Sequence, residues 1–228
     1  MTTDSKTAPR AIVFDWDNTL VDSWATIHEA LVLTFTAMGH EPWTLAETKI
    51  RVRRSLRDAF PALFGDRWED ARKLYLDHFT SMHIERLTPI LGAAELLAEA
   101  RDAGFHLAVL SNKTGRILRL EADHLGWTPN FKRLVGAGDA KADKPDPVAM
   151  QFALEGSGLA ASDVWYVGDT ALDMECAARA GCTAVLLGAL DPEDEGFARF
   201  PPQLRFADFT ALGRSLRREQ ARRSSGSR

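Results

Sequence analysis

Two aspartates one residue apart, Asp15 and Asp17, directly follow the apolar run Ala11-Ile12-Val13-Phe14. Carboxylates that close repel each other, and a bound cation with two separate chemical roles would explain why they sit together. One could attack phosphorus as a nucleophile and form an aspartyl-phosphate. The other could protonate a leaving group and then take a proton from water. Thr19 offers a hydroxyl to the same loop. The plain structural alternative is an Asx-type turn after a strand, and Asp-x-Asp-x-Thr by itself leaves it open.

Three further polar clusters follow apolar segments. Ser111-Asn112-Lys113 comes after Val109-Leu110; a hydroxyl and backbone N–H groups at a strand end suit a phosphate oxygen, and a helix N-cap is the ordinary alternative. In Lys144-Pro145-Asp146-Pro147, the lysine could offset phosphoryl charge and steady an aspartate, with the prolines stiffening the loop. Lys141 is a weaker competitor for that role, and a surface turn is the alternative. Gly168-Asp169-Thr170-Ala171-Leu172-Asp173 follows Val164–Val167. Asp169 and Asp173 would share a helical face if the helix has begun, and oxygen-only ligands suit Mg²⁺; helix capping is the alternative. Each alternative is credible alone, whereas all four holding at successive strand ends is much less so.

These clusters need a scaffold that brings distant strand ends together. Apolar β-prone runs occur at residues 11–14, 105–110, 134–136, 164–167 and 183–187, separated by helix-like stretches. That alternation predicts an α/β fold with a doubly wound, Rossmann-like parallel sheet, whose ligands bind outside the carboxyl ends of the strands. Helices are expected over residues 92–103, 114–125 and 171–180, with Gly104 and Gly181 as stops. The stretch between the first two strands is far longer than one crossover needs. It reads as helical over His28–Met38, Leu45–Leu56 and Trp68–Met82. Residues 21–87 are therefore expected to form an inserted all-helical cap domain, with residues 1–20 and 88–228 as the core domain.

Bulk properties bound the rest. The chain has 228 residues, 45% hydrophobic, with a formal net charge of −4, enough for a sizeable core and unlike a dedicated nucleic-acid binder. Cys176 and Cys182 lie in apolar sequence and read as reduced core residues, not a disulfide or metal pair. Met1–Arg10 lacks a signal-peptide core and reads as a loose tail, and no apolar run is long enough to span a bilayer. A cytoplasmic protein without nucleic-acid or membrane partners is expected. The Arg- and Ser-rich stretch 217–228 reads as a disordered tail. The sequence leaves the oligomeric state open.

The four motifs in order, DWDNTLVDS (Asp15–Ser23), VLSNK (Val109–Lys113), KPDP (Lys144–Pro147) and GDTALD (Gly168–Asp173), resemble those of the haloacid-dehalogenase-like hydrolase superfamily over Ala11 to Leu212. The resemblance implies Asp15 as nucleophile and Mg²⁺ ligand, and Asp17 as general acid/base and backbone metal ligand. It implies Thr19 as support for the first loop, Ser111 as a phosphoryl ligand helped by Asn112, and Lys144 as partner of Asp15 and the phosphoryl oxygens. Asp169 would be the direct metal ligand, and Asp173 would bind a metal-bound water or orient Lys144. The helical insertion and the SNK motif resemble the phosphoglycolate-phosphatase-like branch, whose cap closes over the site. Asn18 stands where glycine is most usual, and asparagine tolerates positive φ. Trp16 replaces a more usual Phe or Leu. An acid at position 17 separates this pattern from the dehalogenating and phosphonate-cleaving branches.

The implied activity is a Mg²⁺-dependent phosphatase acting on a small phosphorylated metabolite through an aspartyl-phosphate. The rivals are a phosphomutase of the same fold and a non-catalytic protein that binds a phospho-ligand or a partner. In the expected cap, Arg51, Arg53, Arg54 and Arg57 crowd together beside Lys49, with Arg53 and Arg57 at i, i+4. They could grip a second anionic group, but a solvated face with Asp58 as partner is preferred. His28, His78 and His83 lack metal-ligand spacing and read as surface or packing residues. Trp24, Trp43 and Trp68 read as helix packing rather than pocket lining.

Overall fold

A computed structural model describes residues 9–189 and 195–226. The strands are β1 (Ala11–Phe14), β2 (Val21–Asp22), β3 (Thr88–Pro89), β4 (His106–Thr114), β5 (Arg133–Ala137), β6 (Val164–Gly168), β7 (Thr183–Leu187) and β8 (Leu204–Phe206). Six form one sheet in the order β5-β4-β1-β6-β7-β8, with every neighbouring pair parallel. β2 and β3 pair antiparallel as a short ribbon flanking residues 23–87.

Parallel strands covered on both faces must be apolar throughout, and every residue of β1, β6 and β7 is buried. The two-residue strand period divides them between two cores. Ile12 and Phe14 pack on one face with Leu96, Leu97, Leu118, Leu212 and Leu216. Those partners come from α5 (Ala93–Asp102), α6 (Gly115–His124) and α10 (Phe209–Gly226). Ala11 and Val13 pack on the other face with Met150, Met174, Cys176 and Phe197, from α7 (Pro147–Ala153), α8 (Ala171–Ala180) and α9 (Glu195–Arg199). Both cysteines are free and buried. This is the expected doubly wound α/β sheet. β1 lies between β4 and β6, so connections leave it toward opposite sides and a crevice opens at its carboxyl end.

Residues 24–82 contribute α1 (Trp24–Met38), α2 (Leu45–Arg51), α3 (Leu56–Phe64) and α4 (Trp68–Met82). Ile27, Leu31, Phe35, Phe60, Phe64, Tyr75 and Phe79 gather there into a core of their own, joined by Ile117 of α6. Among the described residues no helix is long and apolar enough to cross a membrane.

Two expectations are corrected. The helix expected over Leu45–Leu56 is two helices: α2 ends at Arg51, Val52 is extended with ψ 95°, and α3 begins after Ser55. A β-branched residue among arginines is a poor place to continue a helix, since like charges at helical spacing repel. Arg53 and Arg57 therefore do not share a helix face. The tail expected from residue 217 is helical to Gly226, because Phe209, Leu212 and Leu216 bury one face and propagation past a packed turn costs little. Arg217 pairs with Glu99, and Gln220 donates to the Ala103 carbonyl. The loose N-terminal tail falls mostly on residues 1–8, outside the described residues; Pro9 is buried and the Arg10 amide donates to Asp163 O at 2.8 Å.

Candidate active site

The loop after β1 turns sharply at Asn18, the one non-glycine with positive φ (62°) among the described residues. Its amide N–H donates to Val21 O, and its side-chain oxygen accepts from the Ser23 amide. Asparagine thus supplies the left-handed conformation that glycine gives elsewhere. The turn leaves Asp15 at the carboxyl end of the central strand, 7% exposed.

Asp15, Asp169 and Asp173 meet there, with one oxygen from each lying within 4.8 Å of the others. Lys144 reaches in from the β5–α7 loop, 2% exposed. Its Nζ lies 2.9 Å from Asp15 Oδ1 and 2.7 Å from Asp173 Oδ1. The contact to Asp173 is a hydrogen bond; the contact to Asp15 is an ion pair whose angle misses hydrogen-bonding geometry.

The titration of these groups follows from their surroundings. Burial pushes the Asp15 carboxyl up to about 6, opposed by Lys144 and reinforced by Asp173. Burial, then the Asp173 and Asp15 charges, hold Asp169 well above the ordinary carboxylate range. Burial would raise Asp173 too, but the Lys144 ammonium and hydrogen bonds from Lys144 and Thr170 bring it below its usual value. Lys144 is raised: burial works against its charge, and the Asp15 and Asp173 carboxylates outweigh it.

Asp169 and Asp173 would share a helical face only if the helix had begun at Asp169, and it has not. Thr170 caps α8, so Asp169 precedes the helix and Asp173 is its third residue, closing a capping box with Thr170. The capping alternative and the convergence on Asp15 hold together. Asp173 is fully buried and also contacts Lys144 and the Tyr166 hydroxyl, at 3.0 Å for the latter.

Thr19 is fully buried, and its hydroxyl donates to Asp169 Oδ1 at 2.8 Å, so it steadies an acid and does not face the cleft. β4 continues through Ser111 and Asn112 to Thr114, which precedes α6, so neither Ser111 nor Asn112 caps a helix. Ser111 hydrogen-bonds toward Asp15, helping to hold its carboxylate down. Asn112 clasps Lys144, accepting from its amide at 3.0 Å and donating to its carbonyl at 3.2 Å.

Asp17 turns the other way, 2.6 Å from Lys113 Nζ. Lys113 also lies 3.2 Å from Glu121. Sequence reading gave no role to Lys113, Glu121, Tyr166 or Thr170. Glu121 carried a usable signal, an acid within the apolar stripe Ile117, Leu118, Ala122 and Leu125. His83, read as a surface or packing residue, is buried and paired with Glu121 at 2.8 Å.

A cleft of about 110 Å³ opens over Asp15, Asp17 and Lys144. Trp24, Val52, Arg53, Arg54, Tyr75 and Phe79 wall it from the helical segment. Trp24 therefore lines a pocket, while Trp43 packs on Phe35 as expected, with ring centroids 4.8 Å apart. The arginines have separate tasks. Arg51 pairs with Glu47 and lies over Trp43. Arg57 does not pair with Asp58; it reaches the buried Asp143 at 2.5 Å, linking the helical segment to the core. Lys141 lines a separate surface groove.

The acidic cluster has the chemistry of a hard-cation site. When ionised, three carboxylates against one ammonium leave two negative charges uncompensated, the deficit a divalent cation fills. The donors are all oxygens, which suits such a cation. Asp15, Asp169 and Asp173 can hold it.

Known proteins resemble this chain over most of its length. A phosphoglycolate phosphatase of Xylella fastidiosa (strain 9a5c) is 29% identical over 186 residues, covering 80% of this chain and 81% of its own. One of Pectobacterium atrosepticum is 30% identical over 187 residues, covering 78% and 80%. The crystal structure of CbbY from Rhodobacter sphaeroides, in complex with phosphate, superposes with a TM-score of 0.78 at 20% identity, over 90% of this chain and 96% of that one; it shares the fold. The model of the haloacid dehalogenase-like hydrolases matches residues 12–187, a span that contains all four motifs and every residue of the acidic cluster, and the chain belongs to that family.

Proposed function

We propose that this chain is a cytoplasmic, Mg²⁺-dependent phosphatase that hydrolyses a small phosphate monoester through an aspartyl-phosphate on Asp15. One observation carries the reading: the Asp15 carboxylate sits in a cleft against Lys144 at 2.9 Å, with Asp17 on the same loop.

Asp15 attacks phosphorus, forming an O–P bond as the ester O–P bond breaks. Asp17 gives its proton to the departing alkoxide. Asp17 then takes a proton from water, whose oxygen attacks the aspartyl-phosphate; the Asp15–phosphorus bond breaks, releasing phosphate and restoring the carboxylate. Lys144 offsets the charge that would keep an anionic nucleophile from an anionic substrate, and Asn112 and Asp173 hold it in place. A Mg²⁺ held by the carboxylates of Asp15, Asp169 and Asp173 and the backbone of Asp17 would add charge neutralisation at the transferring phosphoryl group. Ser111 is the protein hydroxyl for a phosphoryl oxygen, and Thr19 fixes Asp169.

Residues 21–87 act in this reading as a cap that excludes water. Arg53 and Arg54 on its inner wall give a second anionic group a guanidinium partner. The relatives named phosphoglycolate phosphatase make phosphoglycolate, a monoester carrying a carboxylate, the first substrate to try.

The test is phosphate release from a panel of metabolite phosphates with Mg²⁺, beside Asp15→Asn. The expected result is free phosphate from a narrow set of esters, lost in the variant. Isomerised sugar phosphates in place of free phosphate would indicate a mutase. Tight ligand binding with no turnover across the panel would indicate a non-catalytic protein.

A further inference from the structure

Besides the acidic cluster, the cleft holds a second buried ionic assembly that the mechanism above leaves unused. Lys113 has a side chain 4% exposed, and its ammonium is held between the cleft-facing Asp17 and the buried Glu121. It lies 2.6 Å from Asp17 Oδ1, 3.2 Å from Glu121 Oε2 and 4.6 Å from the centroid of the Phe79 ring. Glu121, 1% exposed, is saturated in turn. Its Oε2 also accepts from the Trp16 indole N–H at 2.7 Å, and its Oε1 faces His83 Nδ1 at 2.8 Å. With Glu121 as acceptor, His83 must carry its proton on Nδ1.

A buried glutamate inside the apolar stripe of α6 is costly unless every oxygen is bonded. A buried lysine is costly unless it is paired. A core built only for stability would place apolar residues at both positions. What the pair achieves is geometric. Asp17 has one buried donor on its carboxylate, and that donor is itself fixed from behind. Trp16, between the two aspartates in sequence, is fully buried and ties the same loop to the same glutamate. His83 adds a contact from the end of α4, so the assembly spans the helical segment and the core.

We propose that Lys113, held by Glu121, is a positioning residue that fixes the Asp17 carboxylate for proton transfer to the leaving group, and that Trp16 and His83 hold Glu121 in place for that purpose. This rests on Asp17 as the general acid of the reaction proposed above. Lys113 acts through Asp17 and gives up no proton itself.

Leaving-group dependence tests it. An alkyl ester needs its alkoxide protonated, whereas 4-nitrophenolate leaves without help. Both esters are measured with the intact protein, Lys113→Met, Asp17→Asn, and the double variant Lys113→Met/Glu121→Gln, which removes both buried charges together. General acid catalysis accounts for about 10²–10⁴ in rate, so Lys113→Met should slow the first step, formation of the aspartyl-phosphate read by rapid quench, about 10²-fold with the alkyl ester and less than about 5-fold with the aryl ester; the second step, which also uses Asp17, is common to both esters and does not enter this rate. The double variant should show the same selectivity, and KM should change little in either. Equal slowing of the first step with both esters, or a change confined to KM, would overturn the proposal by making Lys113 a general structural or substrate-binding residue. Failure of both variants to fold would overturn it too, assigning the pair to the scaffold. If Asp17→Asn shows the selectivity and the lysine variants do not, this proposal alone fails. If Asp17→Asn spares both esters, the general-acid reading fails and takes this proposal with it.

Discussion

Replacing Asp173 with asparagine keeps its size and removes its charge, which makes it the sharpest probe of how Lys144 is held. The buried carboxylate is contacted by Lys144 Nζ at 2.7 Å, Tyr166 OH at 3.0 Å, Thr170 N at 3.0 Å and Thr170 Oγ1 at 2.6 Å. The asparagine oxygen can keep Lys144 and Tyr166. Its NH₂ then faces the Thr170 N–H, donor against donor, and that amide is left without a partner. A buried donor left unsatisfied costs about 1–3 kcal/mol, and exchanging a charged acceptor for a neutral one on Lys144 costs about 1 kcal/mol more. Against this, removing one of three clustered carboxylates relieves Asp15 and Asp169, whose titrations Asp173 raises; one pKa unit of relief returns about 1.4 kcal/mol. The net expectation is a loss of about 1–3 kcal/mol in metal-free protein. It is read from urea denaturation at neutral pH with a chelator present. The sign of the pH dependence follows from the lowered folded-state value of Asp173. Its contribution is complete above the unfolded value of 3.8 and is lost as pH falls through the lower folded one, so the gap between the two proteins should close in acid. Turnover should fall about tenfold or more, because Lys144 keeps only Asp15 as a charged partner. Unchanged stability together with full activity would refute the claim that Asp173 anchors Lys144.

Two further outcomes follow from the same geometry. A methyl group on Gly168 would overlap the Asp173 carboxyl group, so Gly168→Ala should cost about 1–3 kcal/mol by overpacking and depress kcat; a urea midpoint and kcat matching the parent protein would contradict the close approach. A proton on Asp15, whose carboxyl is pushed up to about 6, competes with a divalent cation. Mg²⁺ affinity, read as a thermal shift with rising Mg²⁺, should therefore weaken about tenfold per pH unit below that value. An affinity constant between neutral pH and pH 5 would contradict the assignment of Asp15 to the cation site.

The parts that were legible in the sequence share a physical character: they are local. Apolar runs such as Ala11–Phe14 and Val164–Val167 announce buried strands, and a polar cluster after each one marks the sheet edge where ligands bind. Asn18 could be read as a positive-φ turn from its side chain alone, and its φ is 62°. What escaped was set by contacts between distant residues. Arg53 and Arg57 look paired at i, i+4, yet the chain breaks at Val52 and Arg57 turns to Asp143. Residues 217–226 look like a solvated tail by composition, yet Leu212 and Leu216 have already docked the helix that carries them. Trp16 and His83 lie far from Glu121 in sequence, and only folding shows that its carboxylate satisfies them and Lys113 together. Even so, Trp16 stood out as unusual for its motif, and its indole N–H explains what the larger ring contributes.

The most direct test of Asp15 as the nucleophile is to quench the reaction within its first turnovers and locate the substrate's phosphoryl group by mass spectrometry of the digested protein. The expected result is a phosphoryl adduct on Asp15, seen with Mg²⁺, absent in Asp15→Asn, and longer-lived in Asp17→Asn, which lacks the base for the second step. Turnover by a competent enzyme with no adduct on Asp15, or with the phosphoryl group on another residue, would contradict it.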